Sequence, residues 1–155
     1  MGALFLALVI GICVGLRSLT PPAAVSWAAA LYWIDLGRSR LYFLSTKPAV
    51  AILTVLALAE LVADKLPSAA DRTAPAGLFA RIVLGGLSGA CIAVAGAQRA
   101  WLGIIAGIFG GIIGCFAGFQ VRARLVKALK VPDFVIAILE DVVAIGGSLY
   151  VVTRF

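Results

Sequence analysis

The stretch AWLGIIAGIFGGIIGCFAGFQV, residues 100–121, contains no charged side chain and six glycines. A membrane-spanning helix needs about 20 predominantly apolar residues, and this run has that length. Its glycines fall on two stripes, Gly103, Gly107 and Gly111 on one and Gly110, Gly114 and Gly118 on the other. Residues four apart share a helix face. Glycine inside a soluble helix costs about 1 kcal/mol relative to alanine, so the density has a use, which is close approach on two sides. Small residues at this spacing let helices in lipid meet backbone to backbone. The partners are either other helices of the chain or a second copy, which makes a homo-oligomer through the glycine-rich helices one expectation.

The rest of the chain agrees in class. Of 155 residues, 63% are apolar and 13% charged, and the mean hydropathy is +1.14. That composition is abnormal for a soluble domain and ordinary for an integral membrane protein. The sequence predicts an all-α integral membrane protein with about five transmembrane helices plus a re-entrant or interfacial helix, forming one domain over 1–155. Spans are expected at 3–19, 48–65, 77–97, 100–121 and 132–153. The first has no positive residue before its apolar stretch and no small-residue cleavage pattern, so it reads as a retained span. Ala7, Gly11 and Gly15 in it, and Gly85, Gly89 and Ala93 in the third, repeat the spacing of four.

Between the first two spans, Ser18-Leu19-Thr20-Pro21-Pro22 breaks the helix. Residues 22–34 are apolar but short, and are expected to be re-entrant or interfacial, with a full crossing as the rival. Trp27, Tyr32, Trp33, Tyr42 and Phe43 read as an aromatic belt at the membrane surface. Residues 66–76 read as a loop, and 122–131, RARLVKALKV, as a basic interfacial segment.

The chain has no histidine. That argues against a zinc site of the His/Cys type and against a Ser-His-Asp triad. Three cysteines, all in apolar runs, read as packing residues. The net charge of +6 fits loops near anionic headgroups. It does not point to nucleic acid, since no soluble basic face exists to hold one. With five spans, and Arg81 left inside one of them, lysines and arginines divide evenly between the two sides. The positive-inside rule then gives no orientation. The expected location is the bacterial inner membrane, crossed several times.

Few carboxylates are spent, and they cluster by segment. Glu60 and Asp64 are four apart on one helix face near the end of a span. Glu140 and Asp141 follow Pro132 by eight and nine residues, which sets them deep in the last span. A charge at the bilayer centre costs about 2.5–3.5 kcal/mol on insertion scales. Glu60, Asp64, Glu140 and Asp141 are therefore the candidate binding residues. Arg17, Lys65, Arg81 and Arg122 are the candidate charge partners, although Arg17 alone reads more readily as a snorkelling interfacial residue.

A faint internal echo is also present. GICVGLR (11–17) is similar to GCFAGFQVR (114–122), and PAVAILTVLALAELVAD (48–64) to PDFVIAILEDVVA (132–144). Chance is one reading. The other is an inverted repeat, with units 1–67 and 100–155 joined by a span at 77–97 and a site between them.

The segments GLRSLTPP, ELVADKLPSAADR and ILEDVVAI, taken in order, resemble a family of small bacterial integral membrane proteins, the domain of unknown function of the 4126 type. The most specific piece is Glu60, Asp64, Lys65 and Pro67 with Asp71 following. The resemblance covers nearly the whole chain and implies this architecture and these acidic residues. It brings no activity with it.

Three functions are weighed from the residues. The first is a small transporter or channel whose intramembrane acidic site takes a cation, a proton or a small polar solute. The second is a membrane scaffold or assembly protein in which the charges pair internally. The third is an enzyme acting on a lipid-phosphate, with Mg²⁺ held by the carboxylates. No cofactor is expected outside the third reading, and an enzyme is the less favoured class.

Overall fold

The computed structural model describes residues 2–37, 39–64, 75–130 and 132–155. Among these lie six α-helices: α1 (Ala3–Leu16), α2 (Thr20–Ala30), α3 (Lys47–Ala63), α4 (Pro75–Ala95), α5 (Ala100–Leu129) and α6 (Asp133–Val152). A 3-10 helix, Arg40–Ser45, precedes α3. Among the described residues the regular structure is all helical, and α4, α5 and α6 are long and apolar enough to cross a membrane. At 14 and 17 residues, α1 and α3 are shorter.

Helix α5 is the axis of the bundle. One glycine stripe faces α4, where a Cβ on Gly85 would stand 2.6 Å from the Gly107 carbonyl oxygen. The other faces α1, where a Cβ on Gly110 would stand 2.9 Å from the Gly11 Cα. Only hydrogen at these positions allows such contact. Both stripes are occupied by helices of the same chain.

The contacts also fix direction. Gly11 meets Gly107 while Gly15 meets Gly111, so α1 and α5 run parallel. Gly85 meets Gly107 while Ala93 meets Gly103, so α4 runs against both. Helix α6 opposes α1, with Gly147 beside Cys13 and Asp141 beside Arg17. An inverted repeat of units 1–67 and 100–155 would set α1 and α5 antiparallel, and the observed directions do not confirm it. The expected count of five spans is likewise not confirmed.

One segment differs from its expected form. The basic stretch after 121 is not a separate interfacial piece, because α5 continues unbroken to Leu129. Arg, Ala, Leu, Val and Lys contain no helix breaker, and the helix stops only at Lys130, which adopts the left-handed conformation. Helix α2 is largely buried among the other helices. Pro21 and Pro22 occupy its first turn, where a missing N–H costs nothing, and eight of its eleven residues are buried. Its alanines let it sit inside the bundle. There Val25, Ala28 and Ala29 join Leu6, Ala7, Ile10, Ile92, Val151 and Val152 in the main apolar core.

The aromatic residues Trp27, Tyr32, Trp33, Tyr42 and Phe43 are exposed. They follow or precede the core at the end where α1 begins. Cys13, Cys91 and Cys115 are buried and form no disulfide. The loop expected at 66–76 lies almost wholly outside the described residues.

Candidate functional site

The polar centre assembles at the other end of α1. Three arginines gather there, and one of them, Arg81, for a local reason: α1 ends with carbonyls that no further turn can satisfy. The Arg81 Nε donates to the Gly15 carbonyl at 3.0 Å, and its Nη1 donates to the Gly77 carbonyl at 3.0 Å. A cation at a helix C-terminus also opposes the helix dipole favourably. Arg17 is the C-cap residue of α1 itself and is only 2% exposed. Arg17 is therefore not the snorkelling side chain expected from the sequence. Two carboxylates meet it inside the bundle.

Those carboxylates are Asp64 and Asp141. The Arg17 Nη2 stands 2.9 Å from the Asp64 Oδ2 and in close contact with the Asp141 Oδ1. Both are ion pairs by distance without the alignment of a hydrogen bond. On its other side, the same Asp64 Oδ2 accepts from the Arg122 Nη1 at 3.1 Å. Arg122 in turn pairs with Asp133, Nε to Oδ1 at 2.8 Å and Nη2 to Oδ2 closer still. Its Nη1 reaches the Glu140 Oε2 at 3.5 Å. One carboxylate oxygen thus joins two guanidiniums, and the chain of pairs ties together the ends of α1 and α3, the last third of α5 and the first half of α6.

Glu60 stands apart from this chain. Its Oε1 accepts from the Ser18 amide at 2.9 Å and from the Ser18 hydroxyl, and its Oε2 accepts from the Leu19 amide at 2.9 Å. These amides open α2, so Glu60 serves as a cap supplied from a different helix. An anion at a helix N-terminus is favoured by the free N–H groups and the dipole together.

Of the four carboxylates expected at a site, the structure therefore brings together Asp64, Glu140 and Asp141, joined by Arg17 and Arg122. Glu60 is one helical turn away on α3 and engaged elsewhere. Arg81 braces α1 beside the cluster through backbone oxygens. Lys65 lies outside the described residues, as do Pro67, Asp71 and Arg72. Sequence reading missed Asp133, which holds Arg122 through both oxygens. Its only signal was an acidic residue in the first turn of α6 directly after a proline.

Besides the Arg17 Nη2, the Arg17 Nε and the Thr20 Oγ1 are buried without a hydrogen-bond partner among the described residues. Buried donors of this kind are usually met by water. Among the described residues no group of three or more His, Cys, Asp or Glu side chains could hold a metal ion. The arginines stand between the carboxylates where a metal would have to sit.

A family model for a domain of unknown function, DUF4126, matches residues 4–153. The chain belongs to the DUF4126 family. No curated protein and no solved structure matches it. The match spans all six helices, so the ion-pair cluster and the glycine contacts both lie within the family domain.

Proposed function

We propose that this DUF4126 protein is a small multi-pass carrier or channel of the inner membrane whose ion-pair cluster changes partners when it takes up a proton. The observation that carries this reading is the sharing of the Asp64 Oδ2 between Arg17 and Arg122. A carboxylate held by two guanidiniums can give up one and keep the other. Protonating Asp64, Glu140 or Asp141 removes an acceptor from one arginine and frees it to meet a polar solute. Four helices meet at these groups, so the exchange would move them relative to one another.

Buried ion pairs support this reading because they are a poor device for stability alone. Desolvation of the charges offsets most of their attraction, and apolar replacements are often as stable. Ionisable groups within membrane helices are candidates for function for the same reason. A proton fits the arrangement better than a metal ion or other cation, because each carboxylate of the cluster already faces an arginine. A magnesium-dependent activity on a lipid-phosphate has the weakest support.

The test is flux. Purified protein in liposomes is expected to dissipate an imposed pH gradient, and Asp64→Asn and Asp141→Asn are expected to slow this at least tenfold. Wild-type vesicles no leakier than empty ones, or variants that leak like wild type, would overturn the proposal.

Glu60 favours the second reading, a scaffold, because it acts purely as a cap between α3 and α2. On that reading the variants lose stability and no flux exists to lose. A homo-oligomer remains part of either proposal. With both α5 stripes covered by α1 and α4, it would assemble through outer faces such as Ile52, Val55 and Val62 of α3, all exposed.

A further inference from the structure

Arg122 serves three carboxylates, and it serves them unequally. Its Nε donates to the Asp133 Oδ1 at 2.8 Å, and its Nη2 meets the other oxygen of the same residue. That leaves the Nη1, which donates to the Asp64 Oδ2 at 3.1 Å and reaches the Glu140 Oε2 only at 3.5 Å. A guanidinium holds a carboxylate most firmly through two parallel N–H groups. Of its three partners, Arg122 gives that arrangement to Asp133.

The order runs against burial. The Asp133 side chain is 62% exposed, that of Asp64 15% and that of Glu140 8%. Water screens an exposed pair, while the same contact strengthens as the local dielectric falls. For stability alone the fork would face inward. Arg122 already touches Asp64 and Glu140 through one nitrogen, so turning the fork toward them is a change of side-chain torsion. Places where local energetics yield to another demand are expected at functional sites.

The restraint is built into the turn between α5 and α6. Lys130 ends α5 in the left-handed conformation, and Pro132 is the N-cap of α6. Asp133 therefore stands in the first turn of α6, where an ionised carboxylate is favoured by the helix dipole.

We infer that Asp133 is a positioning residue of the cluster. It holds Arg122 by both oxygens, keeps the guanidinium from closing on Glu140, and so sets how readily Glu140 and Asp64 change partners. Its use in flux rests on the carrier reading, whereas the restraint itself does not.

The test is a pair of double-mutant cycles on the full chain, read by equilibrium unfolding in mixed micelles. Arg122→Gln and Glu140→Gln are combined first with Asp133 in place and then with Asp133→Ala. With Asp133 in place, their coupling is expected to change the unfolding constant by less than about threefold. With Asp133→Ala it is expected to exceed about tenfold. Asp133→Glu, which keeps both oxygens, is expected to bring the coupling back down. Equal coupling with Asp133 and with Asp133→Ala would overturn the inference, as would a coupling that Asp133→Glu does not lower. In liposomes, Asp133→Ala is expected to slow dissipation of a pH gradient by the factor by which the coupling rises. Wild-type flux through that variant would also overturn it. Wild-type vesicles that do not leak would remove the carrier reading and leave the restraint to stand or fall on the cycles.

Discussion

Arg17 and Asp64 meet at 2.9 Å, one at the end of α1 and the other at the end of α3, and Arg122 shares the same aspartate oxygen from α5. Forty-seven residues separate the first pair in sequence, so the contact exists only once the bundle has closed. Removing Arg17 alone would leave Asp64 and Asp141 buried with one cation fewer. Breaking a buried pair from one side costs about 3–5 kcal/mol. Arg17→Met is expected to lower stability by that order in detergent. Arg17→Met with Asp141→Leu is expected to recover part of the loss, since the second change removes a stranded charge. Thermal unfolding of the two single variants and the double variant checks this. A double variant no more stable than Arg17→Met would show that the pair is not coupled.

Glu60 makes a different prediction, because its partners are amides and a hydroxyl. Glu60→Gln keeps one acceptor and turns a donor toward the Leu19 N–H, which then has no acceptor. The cost of an unsatisfied buried donor is about 1–3 kcal/mol, and loss of a helix cap is about 1 kcal/mol. A fall in unfolding temperature is expected together with faster proteolysis between α1 and α2. Flux per folded molecule should stay close to wild type, which separates Glu60 from Asp64. Unaltered thermal stability in Glu60→Gln would rule out the capping role.

The glycines divide into those that touch a backbone and those that do not. A Cβ on Gly107 would stand 2.8 Å from the Gly85 carbonyl carbon, with the oxygen nearer still, so α4 would have to move. Gly146 on α6 has nothing within 4 Å of that position. Gly107→Ala is expected to separate α4 from α5 and to destabilise by more than the alanine gains in helix propensity. Gly146→Ala is expected to stabilise by up to about 1 kcal/mol. Parallel thermal scans of the two variants give the comparison, and similar shifts of one sign would refute it.

How far the sequence could be read follows from what each feature depends on. Residues 100–121 announced a helix with two small-residue faces, because periodicity along one segment is a local property. Asp64, Glu140 and Asp141 stood out because charge in an apolar run is costly wherever it lies. Their partners did not. Whether Arg17 snorkels or turns inward depends on how α1, α3 and α6 stand in register, and nothing within GICVGLR sets that register. Asp133 was passed over for the same reason, since its value comes from Arg122, eleven residues earlier across a turn. The burial of helix α2 was not legible either. Eleven alanine-rich residues are too few to cross a lipid-facing path, yet inside a bundle they need only match their neighbours.

The direction of α2 carries the sharpest topological prediction. Leu19 meets Glu60 while Trp27 meets Thr54, with its Nε1 donating to the Thr54 Oγ1 at 2.9 Å, so α2 runs against α3. Helix α3 reaches Asp64 at the same end where α1 reaches Arg17. The chain therefore goes out along α1, back along α2 and out again along α3, and α4, α5 and α6 continue the alternation. An even number of legs returns the chain to its starting side. Gly96 records this directly, since a Cβ there would touch both the Ala3 Cβ and, at 3.2 Å, the Phe155 ring. Five spans would place the two termini on opposite faces of the membrane. Reporter fusions at residues 1 and 155, or protease accessibility of terminal tags in sealed vesicles, are expected to find both on one side. Opposite sides would mean that α2 does not return the chain, and the parallel packing of α1 on α5 would fall with it.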